Sequence, residues 1–333
     1  MTDTSMPDAL RRMADKGRIS AEDVLTLRRK VFADGVVAAH EAEWLFDLDD
    51  ACCEASSPEW PVFFVEALVD YTVHQAEPHG YVSEENSRWL VNRISRNGVV
   101  KTATELELLV KILEESRQSP QSLIGFALAQ VKAAVVEGSG PARSGASFQP
   151  GKVGQAEVDL LRRMLYAYGG SGNVAICRTE AELLFDINDA TRRADNHPDW
   201  ADLFVKAIAN HMLAAHGHHV PPREVALARA QWLDDRSAGV DRFIVNALAG
   251  GLKGIWQAYR EPDAWDERLA RQEAAITAAE QIDTGEARWL AGRLERNADM
   301  RDHEVALMHF LAEESPDVDP ALKPMMERAG VGG

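Results

Sequence analysis

The chain has 333 residues, enough for two ordinary domains that each bury a core of their own, and its 46% hydrophobic and 27% charged content is typical of a globular protein. The formal net charge of -17 argues against a general phosphate-binding surface, because affinity for nucleic acid depends largely on lysine and arginine. The composition therefore disfavours extensive disorder and a nucleic-acid partner, and it suits solubility, a basic protein partner or divalent cations.

The N-terminal residues 1–17 contain no apolar core of signal-peptide length, and no run of about 18 apolar residues occurs in the chain. We therefore expect a cytoplasmic protein with no membrane span. Cys52, Cys53 and Cys177 form neither a CxxC pair nor a disulfide framework, which fits a reducing compartment. We expect these cysteines to act as small buried apolar residues.

Helical patterns follow one another along the chain. Apolar residues recur at intervals of three and four, as at Trp44, Leu45 and Leu48, and no alternating run predicts a strand. Residues 138–152 are rich in Gly, Ser and Pro, which is the composition of a flexible linker. The sequence thus predicts an all-α fold with a first domain at 1–137, a linker at 138–152 and a second domain at 153–333.

The two predicted domains repeat each other's sequence. EAEWLFDLDDA at residues 41–51 returns as EAELLFDINDA at 180–190, and SRWLVNRISRNG at 87–98 returns as ARWLAGRLERNA at 287–298. A weaker repeat is present inside each half. This repetition predicts two tandem copies of one helical domain, each a pseudo-repeat of helix-turn-helix units.

A helical insertion of roughly 60 residues, at about 220–280, separates matching segments of the second copy. Two interpretations of this insertion stay open. Its helices could extend the core of the second domain. Alternatively, they could present a surface for a partner, since inserted elements often carry function.

Acidic residues form a row on one predicted helix of each copy. At about 100° per residue, Glu43, Asp47 and Asp50 fall within one sector of the helix surface. Glu182, Asp186 and Asp189 do the same in the second copy. Carboxylates at this spacing repel one another by a few tenths of a kcal/mol per pair. Either solvation by water makes this repulsion tolerable, or the acids bind a ligand.

A second kind of acidic residue occurs at the predicted helix starts, where a carboxylate favours the N-terminus of the helix. These residues are Glu41, Glu105, Glu180 and Glu304, and Thr102 with Glu105 predicts a capping box. Asp47 and Asp186 differ from them, because the corresponding positions of the internal repeats hold Lys111 and Phe310. Together with Asp50 and Asp189, they are the candidates for a role beyond solvation.

Three segments set between amphipathic helices resemble the TerB-like tellurite-resistance family: ADGVVAAHE at 33–41, HGYVSEE at 79–85 and RNGVVKTATE at 96–105. The resemblance implies acidic, all-helical modules in tandem over residues 20–137 and 153–331. It also implies a stress-response role and metal chelation through acidic residues, at Asp34, Glu41, Asp47 and Asp50. In the second domain GGSGNVAICRTE replaces the Asp-Gly turn and removes the counterpart of Asp34.

The candidate metal-ligating set combines these positions with the acidic rows of both copies. It consists of Asp34, Glu41, Glu43, Asp47, Asp50, Glu180, Glu182, Asp186 and Asp189. The ligand spacing of an EF-hand is absent from the sequence, so a calcium loop is excluded.

Histidines offer a further metal hypothesis. His211, His216, His218 and His219 cluster near one predicted helix end, and Asp70 with His74 has the i, i+4 spacing of a metal pair. The alternative is a polar turn at the carbonyl end of a helix, which a cationic imidazole suits. We favour the polar turn, because the two domains do not place their histidines equivalently.

The leading functional prediction is a non-enzymatic cytoplasmic binding or scaffold protein whose acidic helical faces recruit a protein partner or a cation. The alternative is a divalent-metal-binding, TerB-like stress protein. A helical enzyme is the third hypothesis, although the sequence contains no nucleophile elbow, phosphate-binding loop or HExxH helix. A divalent metal is the only cofactor that the sequence suggests. Trp60 and Trp200 are predicted to anchor the two cores.

Overall fold

The structure, a computed structural model, describes residues 6–31, 35–52, 56–76, 79–141, 150–166, 176–214, 284–297, 299–314 and 318–331. Within these residues the regular structure is helical apart from a single hairpin of two-residue strands, which confirms the predicted all-α fold. Candidate residue Asp34, the predicted insertion at 220–280 and the histidines at 216, 218 and 219 lie outside the described residues.

The contacts divide the chain into two compact units. Unit 1 comprises Met1–Pro150 and Leu160–Gly172, and unit 2 comprises Gly151–Asp159 and Asn173–Gly333. One boundary between the units follows Pro150, within the predicted linker, of which residues 142–149 lie outside the described part of the chain, and another follows Asp159. Residues 160–166 group with unit 1, although the sequence analysis assigns them to the second domain.

The described residues of unit 1 contain seven complete helices, whose bounds follow. They are α1 (Asp8–Lys16), α2 (Ala21–Thr26), α3 (Ala39–Cys52), α4 (Glu59–Val69), α5 (Glu84–Ile94), α6 (Ala103–Glu115) and α7 (Gln121–Lys132). Three of them continue as π-helical segments: α2 through Leu27–Val31, α4 through Asp70–Gln75 and α7 through Ala133–Glu137. Helix α4 packs against α6 and α2, α1 against α3, and α5 against α7.

Side chains that cap free backbone N–H groups determine where several helices begin. The predicted capping box of α6 is confirmed, because the Thr102 hydroxyl accepts from the Glu105 N–H while the Glu105 carboxylate accepts from the Thr102 N–H. Ser20 and Asp23 form the same arrangement at α2. Such a cap stabilises a helix by about 1 kcal/mol.

A short hairpin joins α5 to α6. Strands β1 (Ser95–Arg96) and β2 (Val99–Val100) pair antiparallel across Asn97 and Gly98, both of which have positive φ. Positive φ at both central residues is the requirement of a type I′ turn, which Asn-Gly satisfies. The sequence predicts no strand here, since a two-residue strand is too short to show alternation.

Helix α8 (Gln155–Leu165) contributes residues to both units. In unit 1 the Arg163 guanidinium donates to both carboxylate oxygens of Glu107, at 2.8 and 2.9 Å, and its Nε donates to Glu114 at 2.7 Å. This two-pronged geometry is the strong form of an arginine–carboxylate pair. It explains why residues 160–166 group with unit 1.

Unit 2 contains α9 (Arg178–Ala190), α10 (Pro198–Ala214), α11 (Thr284–Leu294), α12 (Asp302–Glu314), a 3₁₀ turn (Pro320–Leu322) and α13 (Lys323–Arg328). Helix α10 packs against α12 and α9, α11 packs against the 3₁₀ turn, and α13 packs against α12. Among the described residues, no helix has the length and apolar character that crossing a bilayer requires.

The core of each unit contains aromatic rings in edge-to-face contact. In unit 1 Phe46 lies 5.3 Å from Phe64 and 5.6 Å from Trp89, measured between ring centres. In unit 2 the ring centre of Phe185 lies 5.0 Å from that of Phe204 and 5.4 Å from that of Trp289. Each edge-to-face pair stabilises the fold by about 1 kcal/mol beyond the contribution from burying its apolar area.

Trp60 and Trp200 lie buried beside these rings, as the sequence predicts. The Trp60 indole donates to the buried Asp49 carboxylate at 2.8 Å, whereas the Trp200 indole nitrogen has no hydrogen-bond partner among the described residues. Cys52 is buried and Cys177 is half-buried, and neither forms a disulfide with a described residue. The internal duplication itself stays a prediction from sequence, with which the matched aromatic contacts agree.

Candidate functional site

In unit 1 the acidic row of α3 contacts an arginine and a tryptophan of α5. Arg93 donates to the Asp47 carboxylate at 2.9 Å and to the Glu43 carbonyl oxygen at 3.3 Å, and its Nε lies 3.2 Å from the Glu43 carboxylate. The Trp89 indole donates to the other Glu43 carboxylate oxygen at 2.6 Å. We call these four residues the arginine cluster of unit 1.

Unit 2 has an arginine cluster of the same composition, formed by Glu182, Asp186, Trp289 and Arg293. Arg293 donates to the carboxylates of Glu182 at 2.6 Å and of Asp186 at 2.8 Å, and also to the Glu182 carbonyl oxygen at 3.0 Å. The Trp289 indole donates to Glu182 at 2.7 Å. Here α9 supplies the acids, and α11 supplies the arginine and the tryptophan.

Helical spacing explains why these side chains meet. Tryptophan and arginine are four residues apart on one helix, as are glutamate and aspartate on the other, so each pair lies on one helical face. The guanidinium also lies over a core ring, 5.0 Å from the centre of Phe46 in unit 1 and 5.6 Å from that of Phe185 in unit 2. The cluster therefore joins two helices at the edge of the aromatic core.

The two clusters differ in depth. The Arg93 side chain is 26% exposed, whereas that of Arg293 is 3% exposed and also lies 3.8 Å from the Asp189 carboxylate. A guanidinium so deeply buried needs its acidic partners, because an unpaired buried charge is costly. Burial would raise the pKa of Glu182, but the charge of Arg293 and the hydrogen bonds from Trp289, Arg178 and Arg293 hold that pKa below its ordinary value.

The remaining acids of the row also have partners within their own unit. Asp50 accepts from the Lys101 ammonium at 2.6 Å, and the same ammonium lies 3.1 Å from the buried Glu105 carboxylate. Asp189 accepts from the Asn297 amide at 3.0 Å. These contacts tie the helix carrying the acidic row to the segment that precedes α6 or α12.

The candidate acids at the helix starts have a capping role. Glu41 accepts from the Ala38 N–H at 2.8 Å, and Glu180 accepts from the Cys177 N–H at 2.6 Å. Glu304 likewise accepts from the Arg301 N–H at 2.9 Å. Burial raises the pKa of Glu180, although the backbone hydrogen bond from Cys177 opposes this shift.

The structure therefore distributes the predicted metal-ligating residues over several separate contacts. Among the described residues, no three His, Cys, Asp or Glu side chains are arranged to hold one metal ion. The acids of each row lie beside cations of their own unit. Asp34 lies outside the described residues, and metal binding stays a prediction from the resemblance.

Arg93, Arg293, Trp89 and Trp289 are the site residues that the sequence analysis does not identify. The signal was present, because the repeated segments SRWLVNRISRNG and ARWLAGRLERNA keep the tryptophan and the arginine in register. A helical wheel shows which face the acids occupy. It does not show which residue on another helix faces them.

Unit 2 also contains a buried polar network around Glu304. The Asn188 amide donates to the Glu304 carboxylate at 2.9 Å, and its carbonyl oxygen lies 2.9 Å from Nε2 of His303. Arg192 pairs with Glu304 at 3.1 Å. Burial, with the nearby charges of Arg301 and Arg192, lowers the pKa of His303 from 6.5 to about 3, so its imidazole is neutral and donates to Asn188.

Two open depressions lie on the surface of unit 1. The first, of about 510 Å³, lies beside the hairpin and includes Asp50, Arg96 and Lys101. The second, of about 400 Å³, lies between α2 and α4 and includes Leu25 and Val62. Both are shallow and open to solvent.

Fold and site together define an all-α protein of two compact units, each with a tryptophan–arginine–carboxylate cluster at the edge of its aromatic core. Comparison of the chain with family models, with curated proteins and with solved structures finds no match.

The difference in depth between the clusters leads to a prediction. We expect Arg293→Met to destabilise unit 2 by about 3 kcal/mol, because it leaves a group of acids without their buried cation. Arg93→Met should cost unit 1 about 1 kcal/mol, since its pairs are more exposed. Hydrogen exchange followed by mass spectrometry, read on α9 and α3 in the full chain, measures both. The exposed Arg288→Met on α11 is the control, and equal effects of Arg293→Met and Arg288→Met would contradict the assignment.

The buried imidazole predicts a pH dependence. The folded-state pKa of His303 is lowered, so its contribution to stability is complete above about pH 6.5 and is lost as the pH falls towards 3. Near pH 5 the loss should reach about 2 kcal/mol relative to His303→Gln, which keeps a donor to Asn188 but does not titrate. The measurement compares hydrogen exchange of α12 in the two proteins at neutral and acidic pH. Parallel pH profiles would show that His303 does not titrate as proposed.

Proposed function

We propose that the protein is a non-catalytic cytoplasmic binding or scaffold protein whose acidic helical faces bind a basic protein partner. The proposal rests on the exposure and the ion pairs of the acidic row on α3. Asp47 and Asp50 are half exposed, while one oxygen of each is held by Arg93 or Lys101 from the same unit.

Acids held in this way are suited to binding. Their side chains are already ordered, so a partner pays less conformational entropy to engage them. The net charge of -17 adds a long-range attraction for a basic surface and raises the rate of encounter. The shallow depression beside Asp50 widens the surface that a protein partner could cover.

A divalent-metal-binding, TerB-like stress protein is the second candidate. One observation favours it: among the described residues, the second carboxylate oxygens of Asp47 and Asp50 accept no hydrogen bond. Two half-exposed oxygens three residues apart could contribute to a cation site. The resemblance to the TerB-like family supports the same alternative and its stress-response role.

The first proposal predicts that partner binding depends on the acidic row and on salt. The Asp47→Asn, Asp50→Asn double variant should recover the partner at least about threefold less well than the wild type at low salt, because two charges of the surface are lost. Quantitative mass spectrometry of proteins that co-purify from cells measures recovery. The control is Asp15→Asn with Glu137→Gln, which removes two exposed charges of unit 1 outside the row. Equal recovery with both double variants would exclude the acidic row as the binding surface.

Calorimetric titration separates the two candidates. Under the leading proposal, titration with calcium, magnesium, manganese or zinc gives the same heats for the wild type, Asp47→Asn and Asp186→Asn, because no three described His, Cys, Asp or Glu side chains converge on one metal ion. A saturable heat that Asp47→Asn abolishes would instead establish the metal-binding function. The exposed Asp15→Asn serves as the control for the loss of one charge.

A further inference from the structure

One buried imidazole of unit 2 lies where the ends of three helices meet. His211 is in the last turn of α10 and is 4% exposed. Its Nδ1 lies 2.8 Å from the carbonyl oxygen of Ile176, just before α9. Its Nε2 lies 3.0 Å from a carboxylate oxygen of Glu286, in the first turn of α11. The imidazole therefore faces an oxygen acceptor at both ring nitrogens, and we call these three residues the histidine contact of unit 2.

The chemistry of the acceptors shows where the protons of this contact lie. A carbonyl oxygen only accepts, so Nδ1 donates to Ile176. A neutral ring would then direct the lone pair of Nε2 at the Glu286 carboxylate, which is repulsive at 3.0 Å. The same carboxylate oxygen accepts from Arg178, which favours its ionised form. The proton between His211 and Glu286 therefore belongs to Nε2, and His211 is an imidazolium.

We infer that the histidine contact is a pH-sensitive switch in unit 2, in which protonated His211 joins the ends of α9, α10 and α11 and its deprotonation releases them. The imidazolium donates a charge-assisted hydrogen bond to Glu286, which is roughly twice as strong as a neutral one. A cation at this position also interacts favourably with the carbonyl end of α10. Loss of the proton removes both contributions and leaves a lone pair facing a carboxylate.

The direction of the pH effect follows from proton linkage. A histidine of an unfolded chain loses its proton near about pH 6.5. Folded unit 2 keeps the proton of His211 above that pH, because two acceptors bind it, and thus holds more protons than the unfolded chain. The contribution of the histidine contact to stability is therefore complete below about pH 6.5 and is lost as the pH rises further.

Charged groups approach the histidine contact from α9 and α11, which supply Arg178 and Glu286. Among the described residues, His211 forms hydrogen bonds and ion pairs only with Ile176 and Glu286. Helix α12 also packs against α10, and its titrating residues are Asp302, His303, Glu304, His309, Glu313 and Glu314. Of these, His303 contacts Phe204, which lies about 10 Å before His211 along α10. On α10 itself, the Asp202–Lys206 pair precedes His211 by at least one turn.

Neutral residues occupy the corresponding places in unit 1. Counted from the matched tryptophans of the repeat, Tyr71 corresponds to His211 and Asn86 corresponds to Glu286. The Tyr71 ring lies edge-on to the tryptophan of its cluster, at 5.5 Å between ring centres, and that of His211 does the same at 5.2 Å. Neither tyrosine nor asparagine titrates near neutral pH. The two units thus share an aromatic contact, which in unit 2 also contains a titrating pair.

Nuclear magnetic resonance of the full chain, labelled at the histidine ring nitrogens, measures the protonation of His211 directly. His211→Gln identifies its signals. We expect both ring nitrogens of His211 to carry protons at neutral pH in the wild type. In Glu286→Gln the ring should be neutral at that pH, because the amide can donate to Nε2. A wild-type ring that is neutral there, or that titrates alike with and without the Glu286 carboxylate, overturns the inference.

Hydrogen exchange followed by mass spectrometry tests whether the proton stabilises the helix ends. The matched control is the double variant His211→Tyr, Glu286→Asn, which installs the residues of unit 1 and keeps an aromatic ring at position 211. Relative to this variant, protection of the α10 and α11 ends in the wild type should fall by about tenfold from mildly acidic to mildly alkaline pH. His303 is present in both proteins, so its contribution cancels.

Equal pH profiles of the wild type and the double variant would overturn the switch. If the double variant does not fold, the protonation state of wild-type His211 and its response to Glu286→Gln still decide. Neither measurement involves a partner, and the histidine contact shares no residue with the acidic row of α3. Failure of this inference is therefore distinguishable from failure of the proposed binding function.

Discussion

The pairing of one guanidinium with the acids of a neighbouring helix is the interaction on which both units depend. Carboxylates four residues apart repel each other by a few tenths of a kcal/mol, and the helix that carries them gains little from aspartate in its middle. Arg93 and Arg293 offset this repulsion and form a tertiary contact, because each contacts two acids and a core ring at once. The acidic row thereby packs against the helix that carries the tryptophan.

The arginine clusters of the two units have different surroundings, and these explain the different exposure of their acids. In unit 2 Arg178 lies 4.2 Å from the centre of the Trp289 ring, and His211 contacts both that ring and Glu286. In unit 1 Tyr71 contacts the Trp89 ring instead. Unit 2 thus surrounds its tryptophan with paired charges, while Asp47 and Asp50 of unit 1 remain half exposed, which makes unit 1 the better candidate for recognition.

The sequence predicts what local spacing determines. Helices follow from apolar recurrence, the cap of α6 follows from Thr102 and Glu105, and the buried Trp60 and Trp200 follow from their shared place in the repeat. The partners of the acids do not follow, because Arg93 lies 46 residues from Asp47 and only the fold brings them together. A two-residue strand is likewise too short for periodicity, so the hairpin appears in the sequence only as its Asn-Gly turn.

Positions that differ between the repeated segments are more informative about function than those that agree. The aromatic rings and the arginine agree between the repeated segments, and they make the same packing contacts in both units. Where Asp202 and Lys206 stand in place of Val62 and Glu66, the same helical face meets different surroundings. The Asp202–Lys206 pair is buried at an energetic cost, whereas Val62 is an apolar side chain on an open face. Divergence at this face therefore separates a surface used within unit 2 from one left available on unit 1.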